Sequence, residues 1–121
     1  KNRISNKIKK TSTINLSIDL VPNVDILNHL GTLKKEHQLL IGFALETDNE
    51  IENATKKIAK KNLDAIVLNS LNDNGAGFSY DTNKITFINK KNQITKFKLK
   101  SKNEVSVDIF NQVIKLMNEI V

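Results

Sequence analysis

The sequence predicts an α/β fold that contains a mixed β-sheet. Two segments, residues 38–45 and 64–69, are almost entirely apolar, as is typical of strands that are covered on both faces. An amphipathic helix is indicated between them, so the three elements form a βαβ unit whose two strands should be parallel. Residues 84–88 and 94–99 flank a short polar turn and predict an antiparallel hairpin. One parallel pair and one antiparallel pair make the sheet mixed.

The chain begins with a polar, basic segment, residues 1–13, which has no hydrophobic period and predicts a mobile loop. Residues 14–20 then alternate strictly between apolar and polar side chains. This alternation indicates a strand with one solvated face, which belongs at the edge of a sheet or in an antiparallel pair.

A short first helix is expected after Pro22. Asn23 can cap its N-terminus, and Gly31 near its end is a possible C-cap. Its apolar stripe consists of Val24, Leu27 and Leu30.

The helix between the two buried strands has its own start signal. Thr47 and Glu50 are spaced as in a capping box, and the helix should continue to about Asn62. Its buried line consists of Ile51, Ala54 and Ile58. Glu46 and Asp48 flank the helix start, where the dipole favours carboxylates, so capping is the preferred interpretation of that pair.

The C-terminal third combines a loop, the hairpin and a last helix. Residues 70–83 are rich in Ser, Asn and Asp and predict a long loop. Ser101 or Asn103 should cap the last helix. Its core-facing residues should be Ile109, Phe110, Val113, Met117 and Ile120. Since two buried parallel strands make a narrow sheet, we expect a partner segment upstream of Lys1 to complete it.

Composition restricts the classes of function. The absence of Cys excludes disulfides, thiolate metal sites and a cysteine nucleophile from this segment, and it fits a reducing cytoplasm. No apolar run approaches the roughly 18 residues of a membrane span, and no signal peptide opens the chain, so no membrane partner is expected. The net charge of +6 suits a nucleic-acid binder, but 18 Lys stand against the single Arg3 and are scattered over several elements. A nucleic-acid partner is therefore not expected.

Several common site motifs are missing from the sequence. There is no Walker signature, and Gly75 and Gly77 lack the third glycine of a dinucleotide fingerprint, because Tyr80 stands in its place. His29 and His37 have neither a Cys partner nor paired carboxylates, which argues against a metal site built on them.

One strand-to-helix junction has the arrangement of a ligand pocket. Residues 42–47 bring a glycine and an aromatic, Phe43, to the carboxyl end of a buried strand, where ligands of open α/β sheets bind. The next helix offers its N-terminus, and Lys57 and Lys61 lie one turn apart on the same edge. Together they predict a pocket for a flat base joined to phosphates. Taken singly, Phe43 also fits a core position and the lysines a solvated helix face.

The order and spacing of these motifs resemble the phosphopantothenate–cysteine ligase (phosphopantothenoylcysteine synthetase) family, in the C-terminal half of its synthetase domain. The resemblance is carried by residues 7–10, 21–27, 42–47, 57–64, Asn69, Gly77, Phe78 and 81–83. In bacteria this domain is often fused to an FMN-dependent decarboxylase. The resemblance implies a three-layer mixed sheet of the Rossmann-like or ribokinase-like kind, of which residues 1–121 form only the C-terminal portion.

The resemblance also implies an activity in coenzyme A biosynthesis, the CTP-dependent ligation of 4′-phosphopantothenate with cysteine. The carboxylate of 4′-phosphopantothenate attacks the α-phosphate of CTP, which releases pyrophosphate and gives an acyl-cytidylate, and the amine of cysteine then displaces CMP. Mg²⁺ accompanies the nucleotide, and FMN is implied only with a fused decarboxylase. A cytoplasmic homodimer or higher oligomer is implied as well.

The implied site residues are carried over position by position. Lys7 matches a lysine on a loop that covers the nucleotide, and it is the expected catalytic residue, since a cation there would offset charge on the phosphates in the transition state. The implied nucleotide-binding residues are Lys7, Val24, Asp25, Ile26, Leu27, Phe43, Lys57 and Lys61. Asp25 is also the implied Mg²⁺ ligand. Val24 stands where the family usually has Pro, and Ser70 where Asp is frequent.

Part of the family's site has no counterpart in this chain. The glycine-rich segment, the asparagine that acts on the acyl-cytidylate and the aspartate near the cytosine all precede Lys1, so the fragment alone should be a poor catalyst or none. Two alternatives remain open. One is a non-enzymatic nucleotide or RNA-binding module, with a steep salt dependence and no preference for CTP. The other is a dimerisation module that pairs through residues 14–20 and the hairpin.

Overall fold

The computed structural model describes residues 20–73, 75–76 and 79–119. The elements in chain order are α1 (Ile26–Leu33), β1 (Ile41–Glu46), α2 (Glu50–Lys60), β2 (Ala65–Ser70), β3 (Thr82–Asn83), β4 (Ile85–Asn89), β5 (Ile94–Lys96), β6 (Lys100–Ser101) and α3 (Lys102–Asn118). No helix within these ranges is long and apolar enough to cross a membrane.

Within the described residues, the main sheet has four strands in the order β1-β2-β4-β5. β1 pairs with β2 in parallel, whereas β4 is antiparallel to both β2 and β5. This arrangement confirms the mixed sheet, the βαβ unit and the hairpin. Within the predicted long loop, β3 forms a short antiparallel pair with β6 instead, so part of the loop is ordered as a second sheet.

Two apolar clusters cover the two faces of the main sheet. On one face, α2 contributes Ala54 and Ile58 to a cluster with Ile66 and Leu68 of β2. The cluster on the other face joins the following residues of β2, β4 and α3: Ala65, Val67, Ile85, Phe87, Val105 and Leu116. Helices on both faces confirm the three-layer architecture and explain why β2 reads as a continuous apolar run.

The first helix begins later than predicted. Asp25, and not Asn23, is its N-cap, and the carboxylate of Asp25 accepts a hydrogen bond of 3.0 Å from the amide of Asn28. Val24 therefore precedes the helix and is 78 % exposed. Gly31 is not a C-cap, because it lies inside α1 and is buried there.

The capping box predicted for α2 is wrong. The N-cap is Asn49, whose backbone is left-handed (φ 44°) and whose side chain makes no capping hydrogen bond. The carboxylate of Glu50 instead accepts a hydrogen bond from the hydroxyl of Ser70. Of the predicted buried line, Ala54 and Ile58 are buried, while Ile51 is exposed at the first turn.

The last helix has the cap that the sequence predicts but a different buried face. Ser101 and Glu104 form a complete capping box. Phe110 and Met117 were expected in the core, but they are 69 % and 54 % exposed. Val105 and Leu116 are the buried residues of α3, with Ile109 packed beside them. Val113 is half-buried, and Ile120 lies outside the described residues.

In the described part of the chain, three turns contain an asparagine with left-handed backbone. These are Asn49, Asn62 and Asn92, with φ of 44°, 52° and 60°. They stand before α2, after α2 and in the turn between β4 and β5, where an asparagine tolerates a conformation that most residues avoid.

Candidate functional site

The candidate site lies where β1 ends and where α1 begins. Residues on β1 alternate between the two sheet faces, so Gly42, Ala44 and Glu46 face α2, whereas Phe43 and Leu45 point to the other face. Glu46 is the last residue of β1, whereas Phe43 is the third of its six residues and lies in the middle of the strand, not at the predicted carboxyl end.

Lys57 is held by a carboxylate from this strand end. Its ammonium donates a hydrogen bond to Oε1 of Glu46. The side chain of Glu46 is 13 % exposed and that of Lys57 is 41 % exposed. The interpretation of Glu46 as a helix-capping residue is therefore wrong, since α2 begins only at Glu50 and Glu46 ends β1 as the partner of Lys57.

Lys61 is paired in the same way with the start of α1. Its ammonium lies 2.9 Å from Oδ2 of Asp25. The amide N–H of Asn28, and after it the ammonium of Lys61, hold the pKa of the Asp25 carboxyl below its usual value. The carboxylate is therefore ionised at neutral pH, and it joins α1 to the end of α2.

Phe43 does not share a sheet face with the two lysines. Its ring is 64 % exposed, and it is not the core residue that a structural role would require. β1 is an outer strand of the main sheet in the part of the chain that the structure describes, and Phe43 lies on one of its faces while the Glu46–Lys57 pair lies on the other.

The remaining predicted site residues are placed unevenly. Ile26 and Leu27 open α1, and Leu27 packs against the core while Ile26 is 71 % exposed. Lys7 lies outside the described residues. The structure thus brings Asp25, Leu27 and Lys61 into one region next to Lys57, and it leaves the predicted role of Lys7 as a prediction.

The N-terminus of α2 is less suited to phosphates than expected. Glu50 and Glu52 lie in its first turn, where they already complement the helix dipole. The amide of Asn72 donates to the carbonyl of Thr47 at 2.8 Å and ties the loop after β2 to this turn. A phosphate there would meet carboxylates, so the lysine side of α2 is the better anion site.

Asp25 can bind a magnesium ion only as its single protein ligand. Within the described residues, no three His, Cys, Asp or Glu side chains cluster closely enough to hold a metal ion. The Asp25 side chain is nevertheless 50 % exposed and carries a hard oxygen donor. Mg²⁺ is commonly bound by one or two carboxylates together with substrate phosphates, so this donor set agrees with a nucleotide-borne ion.

Fold and side chains together define an α/β domain with lysine–carboxylate pairs, Lys57 with Glu46 at the carboxyl end of β1 and Lys61 with Asp25 at the start of α1. The family model for the DNA/pantothenate metabolism flavoprotein C-terminal domain matches residues 1–117. The chain belongs to this family, which confirms the resemblance seen in its motifs.

Relatives and a solved structure support the same assignment. The chain is 42 % identical over 104 residues to the "Coenzyme A biosynthesis bifunctional protein CoaBC" of Bacillus subtilis, covering 86 % of this chain and 25 % of that protein. It is 54 % identical over 112 residues to a "Cysteine/Cysteine sulfinic acid decarboxylase" of an unknown prokaryotic organism, covering 93 % of this chain and 31 % of that protein. A crystal structure of the C-terminal domain of a CoaBC protein superposes with a TM-score of 0.67 at 41 % identity, over 80 % of this chain and 46 % of that one. The chain thus spans about a quarter to a third of these relatives.

Proposed function

We propose that this chain is the C-terminal part of a CTP-dependent phosphopantothenate–cysteine ligase domain, which acts in coenzyme A biosynthesis. The observation that supports this most is that Lys57 and Lys61, one turn apart at the end of α2, present ammonium groups held by Glu46 and Asp25 in a member of a family that includes CoaBC proteins. The ligase would join 4′-phosphopantothenate to cysteine through an acyl-cytidylate.

The two lysines would bind the phosphates of CTP. Each ammonium has three N–H donors and shares one with a carboxylate, which leaves donors for phosphate oxygens. Holding the triphosphate in place orients its α-phosphate for attack by the substrate carboxylate, and such orientation is a major source of rate acceleration.

The other site residues would complete the nucleotide contacts. The exposed ring of Phe43 offers a face for the base. Lys7 would act as the catalytic cation on the α-phosphate, on a loop formed by residues 1–13. Val24 and Ile26 would contact the nucleotide beside α1. Mg²⁺, bound by Asp25, would offset charge on the phosphate oxygens.

Further properties follow from the same proposal. The complete protein would be cytoplasmic, would form homodimers or higher oligomers, and would contain FMN where a decarboxylase domain is fused to the ligase. The fragment of 121 residues would be inactive alone, because it spans only about half of the solved CoaBC C-terminal domain.

The first test measures pyrophosphate release by the complete natural protein. Continued release should require CTP, 4′-phosphopantothenate and cysteine, whereas CTP and 4′-phosphopantothenate without cysteine should release only about one pyrophosphate per active site. Lys57→Ala should raise the KM for CTP about 10- to 100-fold, because a charged hydrogen bond of about 1.5–3 kcal/mol is lost. Lys56→Ala is the matched control, since Lys56 is 69 % exposed on the same helix and pairs with Glu52. Equal KM values for the two variants would refute the site.

A second candidate function is decarboxylation of cysteine or cysteine sulfinic acid. It is favoured by the relative that is 54 % identical, of which this chain covers 31 %. Release of CO₂ from either amino acid in the absence of CTP would support it, and that rate should not change in Lys57→Ala. Dependence of every product on CTP would support the ligase instead.

A further inference from the structure

The carboxylate that holds Lys57 has no place in the nucleotide-binding set described above. Glu46 is the last residue of β1, and its side chain faces α2. Its side chain is sheltered, whereas the ammonium of Lys57 borders solvent. A ligand that approaches from solvent would therefore meet the ammonium before it meets the carboxylate.

A second Lys–Glu pair on α2 provides a direct contrast. Lys56 lies 2.6 Å from Glu52, one turn earlier on the helix, and both side chains are more than 60 % exposed (69 % and 64 %). Exposed pairs of this kind are weak, because water replaces either partner readily. The sheltered carboxylate of Glu46 lacks that alternative, so its contact with Lys57 is more persistent.

A persistent contact with Glu46 affects how the ammonium of Lys57 binds an anion. Glu46 uses one of the three ammonium donors, and the other two can bind phosphate oxygens without breaking the pair. A free lysine loses rotamer entropy when it is immobilised by a ligand, but an ammonium that is already held loses less. Because the phosphate stays nearer to the ammonium than to the carboxylate behind it, the net interaction remains attractive.

We propose that Glu46 is a positioning residue that acts through Lys57 and holds its ammonium in place for the phosphates of the nucleotide. The inference rests on the proposed function, since it requires that Lys57 binds the nucleotide. Asp25 holds Lys61 in a similar way, but Asp25 also caps α1, so its substitution would mix two effects. Among the described residues, the side chain of Glu46 bonds to Lys57 alone, which makes it the cleaner test.

The test is a double-mutant cycle on the complete natural protein, with the Kd for CTP measured by titration calorimetry at fixed ionic strength. Glu46→Gln keeps the shape of the side chain but removes its charge, and it should weaken CTP binding about 3- to 10-fold. Glu46→Asp keeps the charge and should recover part of this loss. Glu52→Gln, the matched control, should change the Kd by less than about twofold.

The cycle separates a positioning role from a structural one. In a Lys57→Ala background, Glu46→Gln should have no further effect on the Kd, because the group it positions is gone. A Glu46→Gln effect of equal size with and without Lys57, or CTP binding that is unchanged or tighter in Glu46→Gln, would overturn the inference. If Lys57→Ala itself leaves the Kd unchanged, the proposed nucleotide site is wrong and this inference falls with it. If Lys57→Ala weakens binding and Glu46→Gln does not, only the role of Glu46 is wrong.

Discussion

At the scale of single residues, a buried carboxylate stands outside the set of predicted site residues. Asp64 precedes β2 and is 3 % exposed. Its two oxygens accept hydrogen bonds from the amide of Leu40 at 2.8 Å and from the ammonium groups of Lys34 at 2.9 Å and Lys90 at 3.0 Å. One carboxylate thus joins the end of α1, the start of β1 and the turn after β4.

Removal of this carboxylate should destabilise the fold in a pH-dependent way. Asp64→Ala should lower the free energy of unfolding by about 3 kcal/mol at pH 7, because it leaves the sheltered ammonium of Lys34 without its carboxylate partner. Burial raises the pKa of the Asp64 carboxyl, but the Leu40 amide and the two lysines outweigh burial, so its pKa lies below the usual 3.8.

The sign of the pH effect follows from that direction. A lowered pKa contributes stability that is fully present above pH 3.8 and is lost as the pH falls through the lower, folded-state pKa. Urea unfolding should therefore show a smaller difference between wild type and Asp64→Ala at pH 3 than at pH 7. The control is Asp81→Ala, at an exposed aspartate. A difference that does not depend on pH would contradict the assignment.

Residue roles were predictable from the sequence only where the chemistry is local. Ser101 was one of two caps predicted for α3, and its partner in the capping box, Glu104, is only three positions away. The pairing of Glu46 with Lys57 was missed, because 11 positions and a turn separate them and local signals favoured helix capping for an acidic residue at that place. Asp25 was identified by motif alone, and its bond to Lys61 appears only after folding.

At the scale of elements, the close approach of α1 to the end of α2 depends on one glycine. A Cβ at Gly31 would overlap the carbonyl oxygen of Lys61 and lie 2.9 Å from its carbonyl carbon. The amide of Asn62 donates to the carbonyl of Gly31 at 2.9 Å and fixes the two segments together. The glycine inside α1 is therefore a packing requirement, which a search for C-caps cannot distinguish from a helix end.

Gly31→Ala should destabilise the protein although alanine favours helices. Alanine gains about 1 kcal/mol of helix propensity, but the clash with the backbone of Lys61 should outweigh it, for a net loss of about 1–3 kcal/mol in urea unfolding. His29→Ala, at an exposed position of the same helix, should stay within about 0.5 kcal/mol of wild type. A gain in stability for Gly31→Ala would show that α1 can move away freely.

The face that a helix buries was harder to predict from the sequence than the position of a strand. The ends of the two buried strands were predicted to within about three residues, because a short, nearly continuous apolar run is typical of a strand that is covered on both faces. The buried face of α3 was predicted correctly at Ile109 but wrongly at Phe110 and Met117, which lie on a second apolar stripe that the sheet does not cover. Apolar spacing alone cannot tell which of two stripes meets the core.

At the scale of the whole molecule, stability should be highest along the middle of the main sheet. β2 is paired on both sides and is covered by both apolar clusters. Hydrogen–deuterium exchange measured by mass spectrometry should therefore show the slowest amides in β2 and β4, and much faster exchange in β5. Slower exchange in β5 than in β2 would contradict this order.

The architecture could be predicted from the sequence, but the assembled site could not. Alternation and apolar runs indicate strands, and a parallel pair requires a crossover helix, so the three layers follow from pattern alone. The placement of Phe43 on the opposite sheet face from Lys57 depends on the register of β1 against β2, in which Phe43 lies opposite Val67. That register is a property of the folded sheet, and the motif spacing does not contain it.

The left-handed corners at Asn49, Asn62 and Asn92 have a chemical consequence. Asparagine is among the residues that deteriorate on heating, and a corner that loses its side-chain amide acquires a negative charge. These asparagines flank α2 and lie in the turn of the hairpin. Prolonged heating should therefore cause covalent damage at the turns while the packed core stays intact. Its durability in storage is thus set by covalent chemistry at the turns as well as by packing.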